Sequence, residues 1–390
     1  MQKVVGSNPI SRFMQHQPVE GDFQVSLASG EEVDALIPEL EGLCDEIEAP
    51  PFLRPGWFEP FWRSFGRGQR TIATARSDGA LVAALPLQRH RGVLSGLSNW
   101  HTPGVAILHR DTQSALALSR ALFADGARRV DLSFILRDDP ATAVLLEAAA
   151  ERRRRLLVRE IQASPYLEVG GDWDAVEGSR LSRNRRQKFR RRRRRLEEVG
   201  ELTVEVAGGE EGLDALLEEG FAVEAAGWKG ETGSAIGSSA ATRHFYTDLA
   251  RWAAPRGWLR LAFLRVDGRP VAFDYCLEQD GVHYMLKTGF DPAYANLAPG
   301  LVLRHEMVRR AFELGLRRYE FLGGPEDYKL LWTDDCDHKL RVQAFAASLS
   351  GAVDRFAWGR LRPLVRRPAR AVSAIVPGAI SAFPEIVTAA

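Results

Sequence analysis

Apolar positions along the chain follow two rhythms, one repeating every second residue and one every third or fourth. Phe23–Leu27 alternates and predicts a strand, whereas Val33, Leu36, Leu40, Leu43 and Ile47 share one helical face and predict a helix over 31–47. Pro55 to Phe65 carries Trp57, Phe58, Phe61 and Trp62, which predicts a short helix with an aromatic face. Thr71–Arg76 and Ala80–Gln88 flank Ser77-Asp78-Gly79 and predict a hairpin. A helix over 112–127, a strand over 130–135 and a helix opened by Pro140 and running into Arg152–Arg155 follow.

The second half repeats this layout. Strand character returns at 166–169 and 202–206, with a helix over 174–199 between them. Helices over 210–226 and 241–253 lead into three successive strands over 258–266, 270–279 and 282–290. Asp267-Gly268 joins the first two strands and Gln279-Asp280-Gly281 the last two, an antiparallel meander. A loop then leads to a helix over 300–314, closed by Gly315, and to a strand over 318–322 that ends in Gly323-Gly324. The shared order suggests an internal duplication. The fold class expected is α/β (α+β), each half a mixed, mostly antiparallel sheet flanked by helices. The expected boundaries are a flexible N-terminus over 1–20, domains over 21–165 and 166–360, and a tail over 361–390.

Composition narrows the class. With 390 residues, 45% hydrophobic and 26% charged, the chain is long enough for two cores. Cys44, Cys276 and Cys336 form neither a disulfide framework nor a metal knuckle, which suits a reducing, cytoplasmic setting. The N-terminal stretch has no apolar core of a secretory signal, and no apolar run is long enough for a membrane span. Ala371–Ala390 comes nearest but is broken by Pro377, Pro384 and Glu385; it is read as docked or loose, with a peripheral membrane contact left open. The net charge of +1 hides an asymmetry: eleven of the sixteen residues from Arg180 to Arg195 are Lys or Arg, so the remainder carries −10.

Five features could carry chemistry. Asn296-Leu-Ala-Pro299-Gly300-Leu301 opens a helix whose unpaired N–H groups suit an anion. Asp274 is a carboxylate in a largely apolar strand; with a three-residue loop over 279–281, Asp274, Cys276, Tyr284, Leu286 and Thr288 share one face, and Phe273, Tyr275, His283, Met285 and Lys287 the other. Tyr328, Lys329 and Trp332 follow the strand-ending glycines at helical spacing. Glu224 precedes Gly227, Trp228 and Lys229, an elbow that could face a substrate. Finally, Leu181, Phe189 and Leu196 make an apolar stripe that anchors the basic helix, leaving Arg185, Arg186, Lys188, Arg190 and Arg193 as an anion or RNA patch. Each has a plainer structural reading as a cap, a core residue or a solvated face. No phosphate-loop, nucleophile-elbow, zincin or dinucleotide motif occurs, and the eight histidines show no ligand spacing, so no metal is expected.

From Tyr166 to about Ala347 the sequence resembles the GNAT-fold acyltransferases of the CelD-like and FemAB-like branch. The likeness rests on the basic segment Leu181–Leu196, Glu224 with Trp228-Lys229, Asp267-Gly268-Arg269-Pro270, Tyr294 with Pro299-Gly300, and Phe321 through Tyr328-Lys329 to Trp332, in that order. It implies two tandem GNAT-like domains, the first without chemistry, and attack by an amine on an activated acyl group held where two central strands part. The implied donor is acyl-CoA, in particular acetyl-CoA, bound by Thr288, Gly289, Phe290, Asn296, Pro299, Gly300 and Leu301. Tyr328 or Lys329 would serve the leaving group, and Asp274, or Glu224 through a water, would take the amine proton. Trp228, Lys229, Tyr284 and Trp332 would contact an amine acceptor, a small molecule or sugar. The usual CoA signature of GNAT enzymes is not intact; Asn296 and Gly300 echo part of it. Transfer from aminoacyl-tRNA, which the arginines would suit, therefore stays as an alternative. A catalytically silent module in polysaccharide or envelope biosynthesis is the third reading.

Overall fold

The computed structural model describes residues 23–226 and 236–347. The expected flexible N-terminus and the C-terminal tail lie outside the described residues, as do Trp228 and Lys229.

The first half comprises β1 (Gln24–Ser29), α1 (Glu31–Glu46), α2 (Pro55–Phe65), β2 (Gln69–Ser77), β3 (Ala80–His90), β4 (Val93–Gly96), β5 (Leu108–His109), α3 (Thr112–Ala124), β6 (Arg129–Leu136), α4 (Pro140–Glu151) and β7 (Arg155–Glu168). The second comprises α5 (Trp173–Arg180), α6 (Arg183–Glu197), β8 (Leu202–Ala207), α7 (Leu213–Ala226), α8 (Ala240–Ala253), β9 (Leu259–Val266), β10 (Arg269–Gln279), β11 (Val282–Phe290), α9 (Pro299–Glu313), β12 (Arg318–Glu320) and β13 (Cys336–Phe345). The single helix expected over 174–199 is two. α5 ends at Leu181, and Ser182 caps α6 by accepting from the Arg185 N–H at 3.3 Å.

All strands join one sheet in the order β1-β2-β3-β4-β6-β13-β7-β12-β11-β10-β9-β8, with β5 beside β3. Neighbours are antiparallel except β4–β6 and β11–β12. The order is a near mirror about the β13–β7 seam, and the sequence keeps the same frame on both sides. Asp78-Gly79, Arg91-Gly92 and Arg129 recur as Asp267-Gly268, Asp280-Gly281 and Arg318, each 189 residues on (78 to 267, 91 to 280, 129 to 318). Both residues of each turn have positive φ, the geometry that two-residue hairpins require. Even the ion pair on the inner strand recurs, Arg129 with Asp131 and Arg318 with Glu320.

At the seam the halves exchange their last strands. β7 pairs with β12 of the second half, and β13, from the end of the second half, pairs with β6 of the first. β7 and β13 then pair with each other over ten residue pairs. The expected boundary at 165/166 falls inside β7.

Three cores follow from this layout. One spans both halves, where Trp57 and Phe61 of α2 pack against Phe245 of α8. A second lies under α3 and α4, and a third under α6 and α9, the last holding Leu181, Phe189 and Leu196 of the basic segment.

Candidate active site

The parallel strands β11 and β12 pair only at Val282–Arg318, His283–Tyr319 and Tyr284–Glu320. β11 then runs on to Phe290, and among the described residues no strand lies beside that edge. The chain after Glu320 bends the other way, and the Phe321 N–H donates to the Pro165 carbonyl of β7 at 3.1 Å. The two strands therefore open a splay in the middle of the sheet.

Two features on β11 correct the faces expected for its side chains. The turn has two residues, Asp280-Gly281, so Gln279 pairs with Val282; and the register slips by one between Tyr275 and Cys276, leaving Leu286 as the extra residue. Thr288 still stands opposite Asp274. Tyr284 and Leu286, however, turn to the opposite face, where they pack in the core shared by the halves, Tyr284 against Phe52. His283 and Met285 take their place. A bulge moves every later side chain to the other face, because strand periodicity is two.

The face under α9 is polar and buried. The Asp274 carboxylate accepts from Arg304 Nη2 at 2.9 Å, and Arg304 also donates to the Tyr319 hydroxyl at 2.5 Å. Both members of the pair are almost wholly buried. Asp274, expected as a proton acceptor, is thus the counter-ion of a buried guanidinium. Deeper in the same layer Glu278 receives His283 and Arg310. Burial pushes its carboxyl up, but these partners outweigh burial and hold it at about 2.

The segment after β12 carries Tyr328, which is half-buried; burial raises its phenol above the ordinary value, against the pull of Arg304. Lys329 is not a free acid. Its ammonium donates to the carbonyls of Leu322 (2.5 Å) and Gly324 (3.2 Å) and pairs with Glu326. Trp332 is a core residue, packed among Trp173, Phe189 and His305, and does not line the mouth.

Glu224 lies across the strand. A Cβ built on Gly289 would sit 2.5 Å from the Glu224 Cα, so α7 crosses β11 closely enough to need glycine there. The Glu224 carboxylate is buried and accepts from the Ile236 N–H at 2.8 Å. Beside it, Lys287 lies over the Tyr246 ring at 5.5 Å. The Tyr246 hydroxyl lies 3.3 Å from Nδ1 of His101, a first-half residue. Burial, helped by Lys287, lowers the His101 imidazole to about 3 and keeps it neutral. No sequence spacing joins His101 to this group; only the packing of the halves does.

Ala298, in the left-handed region, precedes α9, and its carbonyl already receives Leu301 and Val302. Pro299 has no N–H, so Gly300 supplies that turn's remaining donor. α6 runs antiparallel to α9, with Phe189 against His305 and Arg193 on Glu306 at 2.5 Å. Arg195 reaches the Asn296 carbonyl at 3.4 Å. Arg185, Lys188 and Arg190 are exposed, whereas Arg186 and Arg193 are half-buried. The basic ridge therefore ends beside the start of α9.

Residues 183–330 match the family model of an acetyltransferase (GNAT) domain. Among solved structures, the C-terminal DUF2156 domain of a protein named for lysylphosphatidylglycerol synthetase from Agrobacterium fabrum superposes with a TM-score of 0.53 at 12% identity, covering 82% of this chain and 94% of that one. FemX superposes with a TM-score of 0.51 at 12% identity, covering 78% and 93%. By sequence, no curated protein matches. The architecture is that of tandem GNAT folds sharing one sheet. Residues 183–330 thus carry a GNAT domain, and the likeness to FemX is one of fold. No helix among the described residues is long and apolar enough to cross a membrane.

Proposed function

We propose that the chain is an N-acyltransferase that moves an acyl group from an activated donor to an amine, with acyl-CoA as donor. One observation carries this reading: β11 and β12 part after three residue pairs, and among the described residues no strand lies beside that edge of β11 from Met285 to Phe290, which lies against the start of α9. Backbone N–H groups along such a stretch can meet a carbonyl oxygen, and a helix start favours an anion. Gly300 and the adjacent Arg195 would hold donor phosphates, and the N–H groups of Thr288–Phe290 would polarise the acyl carbonyl.

In the reaction the amine nitrogen bonds to the acyl carbon and the carbon–sulfur bond breaks, its electron pair leaving on sulfur. The amine's surplus proton passes through a water to Glu224, and the Tyr328 hydroxyl protonates the departing thiolate. Asp274 and Arg304 fix the floor beneath Tyr328. Positioning supplies most of the rate, because an amine and a thioester need little covalent help.

The test is thiol release from acetyl-CoA across a panel of amines. Amine-dependent CoA release that falls at least tenfold in Tyr328→Phe supports the reading. Absence of both acetyl-CoA binding and release overturns it. The second reading, an aminoacyl-tRNA donor, is favoured by the arginine ridge of α6 ending beside α9. Transfer that is abolished by RNase and indifferent to CoA would select it.

A further inference from the structure

The chain leaves β12 through a turn whose carbonyls are all spoken for. Lys329 takes those of Leu322 and Gly324, and Ser164 Oγ takes that of Gly323 at 3.1 Å. The two clamps come from different elements. Lys329 follows the turn, whereas Ser164 lies on β7, the strand lent by the first half, and receives Lys339 Nζ of β13 at 3.2 Å. Ser164 is wholly buried, and both lysines are nearly so. Leu322 and Gly323 both have positive φ (52° and 61°), rare for leucine and held here by those clamps.

A planar trans peptide points its carbonyl and the next N–H in opposite directions. With the Gly323 carbonyl drawn onto Ser164 of β7, the Gly324 N–H faces away from that hydroxyl. With the Leu322 carbonyl drawn onto Lys329, the Gly323 N–H faces away from that ammonium. Among the described residues, neither of these two N–H groups donates to a protein acceptor. Successive N–H groups converging in this way form an anion-binding concavity.

We infer that the N–H groups of Gly323 and Gly324 form a second oxyanion site, on the lip of the splay, that receives the acyl carbonyl oxygen as it gains negative charge. The inference rests on the acyltransfer reading above. It makes Lys329, Ser164 and Lys339 positioning residues, and it gives the first half a share in the site through Ser164.

The test labels the glycines of the full chain with 15N and titrates acetyl-CoA, CoA and sodium acetate in turn, following the amides of Gly289, Gly300, Gly323 and Gly324. Acetyl-CoA should move Gly323 and Gly324 downfield, CoA alone should move Gly300 only, and Ser164→Ala should diminish the first response while CoA affinity is kept. If acetyl-CoA moves Gly289 and Gly300 but leaves Gly323 and Gly324 in place, the second oxyanion site is refuted and the donor reading survives. If only acetate moves Gly323 and Gly324, the donor reading fails and the turn stands as a carboxylate site. Silence toward all three probes overturns both. The wild-type titration decides between these outcomes even if Ser164→Ala does not fold.

Discussion

The two halves share a frame to the residue from the β2–β3 turn to β6, yet only one of them has a gap. In the first, β4 stops at Gly96; the chain turns back and returns at Val105, whose N–H donates to the Phe134 carbonyl and which bridges Ile135 of β6. Val105 and Ile107 fill the space between the strands, leaving a cavity of about 10 Å³ lined by Leu85, Leu132 and Leu145. In the second, the same stretch stays extended as the last six residues of β11, with no strand on its β12 side among the described residues. One scaffold thus gives either a plugged seam or a mouth, according to whether the chain after the fourth strand of the repeat turns back or runs on.

Four changes would break or sharpen this contrast. The largest effect is expected at the buried ion pair beneath the mouth. Asp274→Ala strands Arg304 in the core and should cost about 3–5 kcal/mol in urea unfolding. Glu151→Ala, which breaks an exposed pair with Arg120 in the first half, should leave the urea midpoint almost unchanged. Next come the glycines. Gly289→Ala drives a methyl into the α7 backbone and should cost about 1–3 kcal/mol together with any acyl transfer. Gly96→Ala meets nothing nearer than 3.6 Å and should stay within about 0.5 kcal/mol.

The third change is read in pH. Burial pushes Glu320 up to about 7, against the pull of Arg318. Between the ordinary 4.5 and that value the native state keeps a proton that the unfolded chain releases. Its contribution is therefore full below pH 4.5 and is lost as pH rises through about 7. Glu320→Gln should flatten that fall by about 1–3 kcal/mol in unfolding measured across the range. The smallest effect on folding is expected on α6. Replacing Arg185, Arg190 and Arg194 by Gln should leave stability within about 0.5 kcal/mol, but it should lower affinity for a polyanion such as RNA and flatten its salt dependence. An unchanged salt slope would remove the ridge from any binding role.

Much of this fold was legible because its signals are local. The Asp78-Gly79 and Asp267-Gly268 turns, the apolar stripe of α1 and the proline-opened helices α4 and α9 lie where the spacing puts them. β13 could have been read too, since Lys339, Arg341 and Gln343 alternate with Leu340, Val342 and Ala344, but it belongs to a sheet that the first half begins. Strand exchange is a long-range property with no local mark. The turn of two residues in place of three reversed the faces of Tyr284 and His283, and the slip at Leu286, invisible to a period-two pattern, returned Thr288 to the face of Asp274. Glu224 packs against Gly289 of β11, and Tyr328 lies within the electrostatic reach of Arg304 and Asp274. Lys329 is engaged locally, by Leu322, Gly324 and Glu326, whereas the arrival of His101 and Ser164 depends on packing between halves, which spacing does not encode.

The crossed ends of β7 and β13 have a consequence for biogenesis. A ribosome that has released the first half leaves β6 with a raw flank until residues 336–345 emerge, because its neighbour is written at the far end of the described chain. Expressed separately, the two gene halves should each yield an aggregation-prone fragment, and mixing them should restore solubility only if both fragments carry their terminal strand.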